Sequence, residues 1–202
     1  MRKHAVVVTV SLFIASCAMN KTAPNLPNNI SLTPPGSYGQ QYIQQIDFNY
    51  PYESKAKANA AKCVAMNVSN KSVVISDSSN SFVGSYTGNY YHINKSKSLS
   101  GGQVTQYSDK DSGVVVADGR TEAFFTIMGM PNAKIIDYKL VVDASGKDIA
   151  IGFSDIKTTM KETGYASNSG PTPLGAWSGA KPMLAYNSLK SIADKVARCM
   201  KR

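Results

Sequence analysis

Between Gln103 and Phe153 the chain is written as successive hairpins, and this stretch restricts the fold more than any other. Val104 to Tyr107 and Val114 to Ala117 flank Asp109-Lys110-Asp111-Ser112-Gly113, a turn composition. Glu122 to Met128 follows after Asp118-Gly119, a further break in the pattern. Ile136, Tyr138, Leu140 and Val142 then alternate with Asp137, Lys139 and Val141, turn at Ala144-Ser145-Gly146, and return through Ile149, Ile151 and Phe153. Alternate residues of a strand face opposite sides. Hairpin after hairpin with this period predicts an antiparallel sheet that buries one face.

Segments on either side supply what covers that face. Tyr42 to Tyr50 reads as a first strand carrying Ile43, Ile46 and Phe48. Ser54 can cap a helix whose Ala60, Cys63, Val64 and Met66 turn toward the core and which ends at Asn67 to Asn70. Val73 to Ile75 is a short strand; Ser76 to Gly102 is mostly Ser, Asn and Gly, with a weak strand at Tyr90 to Ile93. Met160 to Ala180 reads as a long loop containing Trp177, the single tryptophan. A last helix starts at Pro182, a favoured first helical position, and lines up Leu189, Ile192, Val196 and Cys199 at spacings of three and four. The expected fold is α+β, about five to seven antiparallel strands packed against an N-terminal and a C-terminal helix.

Arg2 and Lys3 precede an apolar run from Ala5 to Ala15 that ends at Ser16-Cys17, the order of a secretory signal. A membrane-spanning helix needs ~20 apolar residues; this run is about half that and is interrupted by Thr9 and Ser11. Ile14-Ala15-Ser16-Cys17 resembles the lipobox of bacterial lipoproteins. The resemblance implies that the Cys17 thiol takes diacylglycerol, that residues 1–16 are removed, and that the mature chain sits on a membrane. Ala18 in place of Asp implies, by the same family's sorting rule, the outer membrane with the domain facing the periplasm. From Ala18 to Gln41 Asn, Pro, Ser, Gly and Gln dominate, which predicts a disordered tether of roughly 25–30 Å. The expected layout is a signal peptide (1–16), a lipidated Cys17 with tether (17–41), and one α+β domain (42–202).

The formal net charge of +9 falls to +7 once Arg2 and Lys3 leave with the signal. The lysines are scattered, which reads as a solubility charge; no nucleic-acid partner is expected. With Cys17 given to the lipid, Cys63 and Cys199 remain as an even pair in an oxidising compartment. A Cys63–Cys199 disulfide is expected, two free buried thiols being the competing reading.

His92 is the only histidine left after the signal. Catalytic triads and metal sites built on imidazole therefore have little to work with. Asp109-x-Asp111-x-Gly113 faintly echoes a calcium loop, but its Gly comes one place early and the twelfth position is Arg120. No phosphate-binding glycine motif occurs. These observations predict no catalytic residue, no cofactor and no metal. Tyrosine is the polar aromatic in excess, and Tyr86, Tyr90, Tyr91, Tyr165 and Trp177 fall in loops and strand ends, where such rings anchor recognition surfaces. The expected role is binding or scaffolding, with the membrane and another envelope protein as partners and the Trp177 loop as the mobile part. A carboxylate-based envelope hydrolase and a small-ligand or lipid carrier are the rival readings.

The order of helix, antiparallel strands and C-terminal helix is similar to TBP-like and helix-grip arrangements. Ser112 to Gly119, Tyr138 to Val142 and Ile149 to Ile156 resemble uncharacterised secreted bacterial proteins with a TBP-like domain. That resemblance carries over hairpin patterns and no reactive group, and fold alone does not license function.

Overall fold

A computed structural model describes residues 21–51, 56–127 and 129–202. In chain order these form β1 (Ile30–Leu32), β2 (Ile43–Pro51), α1 (Ala56–Asn67), β3 (Val73–Asp77), β4 (Phe82–Val83) and β5 (Tyr90–Tyr91). There follow β6 (Lys95–Leu99), β7 (Thr105–Asp109), β8 (Val114–Ile127), β9 (Met130–Asp143) and β10 (Asp148–Met160). Last come β11 (Thr172–Pro173), a 3₁₀ turn (Ser178–Ala180) and α2 (Pro182–Met200). Seven strands make the main antiparallel sheet in the order β1-β2-β10-β9-β8-β7, with β11 on the far end of β10. The α+β architecture with two helices is the one the periodicity requires. Among the described residues no helix is long and apolar enough to cross a membrane.

One face of the sheet carries the core. Ile46, Phe48, Val115, Ala117, Leu140, Val142, Ile149, Ile151 and Phe153 are buried against α1 and α2. The stripe Ala185, Leu189, Ile192, Ala193, Val196 and Met200 of α2 lies in the same cluster, as its three-and-four spacing demands. α1 contributes mostly small side chains, Ala56, Ala60, Cys63 and Val64. Cys63 is bonded to Cys199 of α2, with Cα atoms 5.6 Å apart. The side chains of this cluster pack together between the sheet and the helices.

The opposite face is covered by the β3–β6 pair, where Ile75 and Leu99 bury Ile135 of β9. Arg120 of β8 fastens this layer. Its Nε binds Asp137 on the neighbouring strand, and its Nη1 donates to the carbonyl oxygens of Leu99 at 2.9 Å and Lys71 at 3.1 Å.

Three expectations are corrected. The segment 21–41 is not a free tether. β1 pairs with β2 at Ile30↔Ile46, Leu26, Ile30 and Leu32 pack on the core, and the Ala23 amide donates to Ala176 O at 2.9 Å. Its few apolar residues show no period, but β2 leaves an edge of unpaired main-chain groups that this segment satisfies. Residues 21–41 therefore belong to the folded unit; Cys17 and residues 1–16 lie outside the described residues, as does the Ser54 cap. Second, Asp118-Gly119 does not interrupt β8, which is paired with β9 from Val114↔Asp143 to Ile127↔Met130. Gly119 faces Tyr138, and any side chain there would run into the Tyr138 ring. Its glycine makes room for an aromatic rather than for a turn. Third, Lys95–Leu99 is a strand within the stretch that composition marks as irregular.

The Tyr138 ring packs edge-on against Phe153 at 5.2 Å, and its hydroxyl is buried with no hydrogen-bond partner among the described residues. Burial pushes the phenol's pKa above its ordinary range. An unpaired buried hydroxyl is a net cost, so Tyr138→Phe is expected to raise stability by about 1 kcal/mol, or the melting temperature by about 2–4 °C. Thermal unfolding checks it; a drop of several degrees would contradict this account of the hydroxyl.

Candidate binding site

β10 runs past the end of β2. The two pair only as far as Ser154↔Gln45, where Asp155 takes a positive φ of 48° and the register to β9 shifts. Beyond this bulge Lys157 and Thr158 pair with Pro173 and Thr172 of β11. The chain between Met160 and Thr172 folds back beside them and leaves an open groove of about 630 Å³. Thr158, Thr159, Asn168 and Ser169 line it with polar atoms, and Trp177 and Tyr42 form its apolar wall.

Asn168 sets the shape of the folded-back loop. Its Oδ1 accepts from Thr159 Oγ1 at 3.0 Å and from the Gly170 amide at 3.2 Å, while its Nδ2 donates to Met160 O at 2.9 Å. The Asn168 amide donates to Asp77 Oδ2 at 3.0 Å, tying the loop to the end of β3. On the other side, Trp177 meets Tyr42 edge-on at 5.6 Å. The ring lies against Gly175, where a Cβ would collide with it. Main-chain bonds hold this segment from both flanks, Ile43 N to Leu174 O at 2.8 Å and Ala176 N to Gln41 O at 2.9 Å. The Trp177 segment is thus built into the sheet edge rather than mobile, a correction to its reading as a loose loop.

Lys134 supplies the one cationic side chain of the lining, and its Nζ donates to Ala180 O at 2.6 Å. Burial, with the neighbouring charge of Lys181, lowers its ammonium pKa. Among the described residues the lining contains no carboxylate and no imidazole. Hydroxyls, an amide, an amine and a half-exposed indole can grip a polar ligand that has one flat apolar face, and they offer no acid–base pair.

The aromatic set singled out from sequence divides. Tyr90 and Tyr91 sit on the β4–β5 ribbon, Tyr91 stacked on Phe82 at 5.1 Å and Tyr90 edge-on to Tyr165 at 6.4 Å. Tyr86 is fully exposed at the connection between those two strands. Tyr165 and the groove residues Ser167 to Gly170 share one loop, so the tyrosine ribbon and the Trp177 groove adjoin without being one surface. His92 stands beside Tyr90, its Nδ1 3.4 Å from the phenol oxygen. Sequence reasoning missed Phe82, Lys134, Asn168 and the threonine pair. Lys134 acts through Ala180, 46 residues on, and Asn168 through Asp77, 91 residues back, while Thr159 meets Asn168 9 residues on, and no local pattern marks any of them.

The Asp77 carboxylate accepts from the Ser79 hydroxyl and from the Asn168 and Ser79 amides, and these bonds hold its pKa below the usual carboxylate range. A lowered folded-state pKa means the tie is at full strength above the unfolded value of about 3.9, weakens below it, and is lost as pH falls through the lower folded-state value. Protection of the amides in residues 161–170, taken relative to intrinsic exchange at each pH, is therefore expected to fall below about pH 4, and Asp77→Asn to remove most of that acid dependence. Protection that is unchanged between neutral pH and about pH 3 would contradict the tie.

No family model matches the chain, and no curated protein matches it. Among solved structures it is similar to a DUF4468 family protein from Bacteroides ovatus. The identity is 10%, the TM-score 0.43, and the match covers 80% of this chain and 87% of that one.

Proposed function

We propose that this chain is a membrane-anchored lipoprotein of the bacterial cell envelope, held at the outer membrane through Cys17 and serving a non-enzymatic binding or scaffolding role toward another envelope component. The anchoring part rests on Ile14-Ala15-Ser16-Cys17 and the signal-like run before it. One observation carries the binding part: an open groove of about 630 Å³ in which Trp177 and Tyr42 stand beside Thr158, Thr159 and Asn168. Half-exposed aromatics beside convergent polar groups are the usual make-up of recognition sites. The tyrosine ribbon with Tyr86, Tyr90, Tyr91 and Tyr165 adds an adjoining exposed aromatic patch.

A photoreactive residue placed at Ser169 in living cells tests it. A discrete crosslinked adduct is expected, and Trp177→Leu, which keeps an apolar cover over Gly175, should reduce the adduct about tenfold while the chain stays folded by circular dichroism. An adduct undiminished by Trp177→Leu would overturn the groove as the binding site.

A further inference from the structure

β8 and β9 continue beyond the cover of the helices. Their last pairs, Phe125↔Asn132 and Ile127↔Met130, lie at the tip of a hairpin that is apolar yet uncovered. Phe124 is 73% exposed, Met130 65% and Ile127 40%. Hairpin ends are ordinarily polar. The turn at the other end of β9, Ala144-Ser145-Gly146-Lys147, obeys that rule and this tip does not. The register puts Phe124 on one face of the hairpin and Phe125, Ile127 and Met130 on the other, so the tip is apolar on both faces, and apolar side chains left open together on a folded chain mark a contact surface.

Two further features indicate what meets it. Phe125 shares a groove of about 450 Å³ with Ala23, Pro24 and Asn25 and with the start of α2, so residues 23–25 lie beside the hairpin tip. Ala23 is six residues from Cys17, and six residues reach at most about 20 Å. Whatever holds Cys17 is thereby kept within that reach of Ala23, which lines the groove with Phe125. In addition, Lys181 stands over the Phe125 ring at 4.9 Å and forms no ion pair with a carboxylate among the described residues. An amine beside exposed aromatic and aliphatic side chains suits a bilayer interface, where the rings enter the acyl boundary and the charge meets lipid phosphates.

We infer that the β8–β9 tip, through Phe124, Phe125, Ile127 and Met130, dips into the phospholipid leaflet that carries the Cys17 lipid. This rests on the anchoring reading above. It adds a second attachment that fixes how the domain stands on the membrane, where a lipid alone would let it tumble.

The lipidated full chain, reconstituted into phosphatidylethanolamine–phosphatidylglycerol vesicles containing nitroxide-labelled phospholipid, separates the two claims. Flotation reports the anchor, and an environment-sensitive dye on Ile127→Cys or Ser145→Cys reports the tip or the opposite turn. Expected are flotation of both labelled proteins, quenching by about half at position 127, and almost none at position 145. Flotation without quenching at 127 would overturn the hairpin contact and leave the anchor standing. Failure to float would overturn the anchor and, with it, this inference. Equal quenching at both positions, or crosslinking of position 127 between two copies in place of quenching, would also overturn it.

Discussion

Replacing both Cys63 and Cys199 with serine is expected to cost about 4 kcal/mol. The bond joins α1 to α2 across 136 residues of sequence, so without it the unfolded chain regains the freedom of a long loop. The chain-entropy model puts that gain near 5 kcal/mol for a loop of this length, as an upper figure. α1 has little else to hold it. Its buried side chains are Ala56, Ala60, Cys63 and Val64, and small side chains bury little apolar area. Urea unfolding with and without reductant measures the loss, and the unfolding slope should steepen because the reduced chain exposes more surface when unfolded. Amides of α1 should lose exchange protection before those of β8 to β10. A change under 1 kcal/mol would mean that α1 is held by packing alone.

Arg120→Ala is expected to cost about 3 kcal/mol, the range for breaking a largely buried ion pair by removing one partner. The Arg120 side chain is only 10% exposed and Asp137 23%. Deleting the guanidinium leaves that carboxylate and the carbonyl oxygens of Lys71 and Leu99 without their donor. Arg120→Lys should recover little, because one ammonium cannot reach a carboxylate and two separate carbonyls as a planar fork does. The loss should be local. Amides of β3 and β6 are expected to exchange freely while β8, β9 and β10 keep their protection. Uniform loss of protection over the whole sheet, or a cost below 1 kcal/mol, would refute Arg120 as the fastener of the second layer.

The sheet and both helices were legible in sequence because burial on one side imposes a period. Ile136, Tyr138, Leu140 and Val142 could face the helices only as alternate residues of a strand, and Leu189, Ile192 and Val196 only as one stripe of a helix. The errors lie where a residue acts through a distant partner. Asp-Gly at 118–119 carries a turn signature, yet the space that Gly119 vacates belongs to Tyr138. Lys95 to Leu99 buries Leu99 alone and leaves the rest of the strand exposed, so no apolar alternation announces it. Leu26, Ile30 and Leu32 are too sparse to predict order, and the open edge of β2 supplied it.

The site was less legible than the fold. Trp177 stands out in the sequence as the single tryptophan, and its neighbours in space are Tyr42, Gly175 and the polar lining of the groove rather than the tyrosines of the β4–β5 ribbon. Asn168 sits in a Ser-Asn-Ser-Gly run that looks like any loop, and its importance comes from Thr159, Met160 and Asp77. Phe124, Ile127 and Met130 read as the end of a strand, because nothing local says that the helices stop before reaching them.

The account depends most on what happens at Cys17. Mass spectrometry of the N-terminal peptide of the protein recovered from cell membranes tests this directly. The account predicts a peptide that begins at Cys17 and carries the mass of diacylglycerol, and that disappears from the membrane fraction when Cys17 is replaced by serine. An N-terminal peptide that begins at another residue, or an unmodified Cys17 in a protein found free in the periplasm, would contradict it.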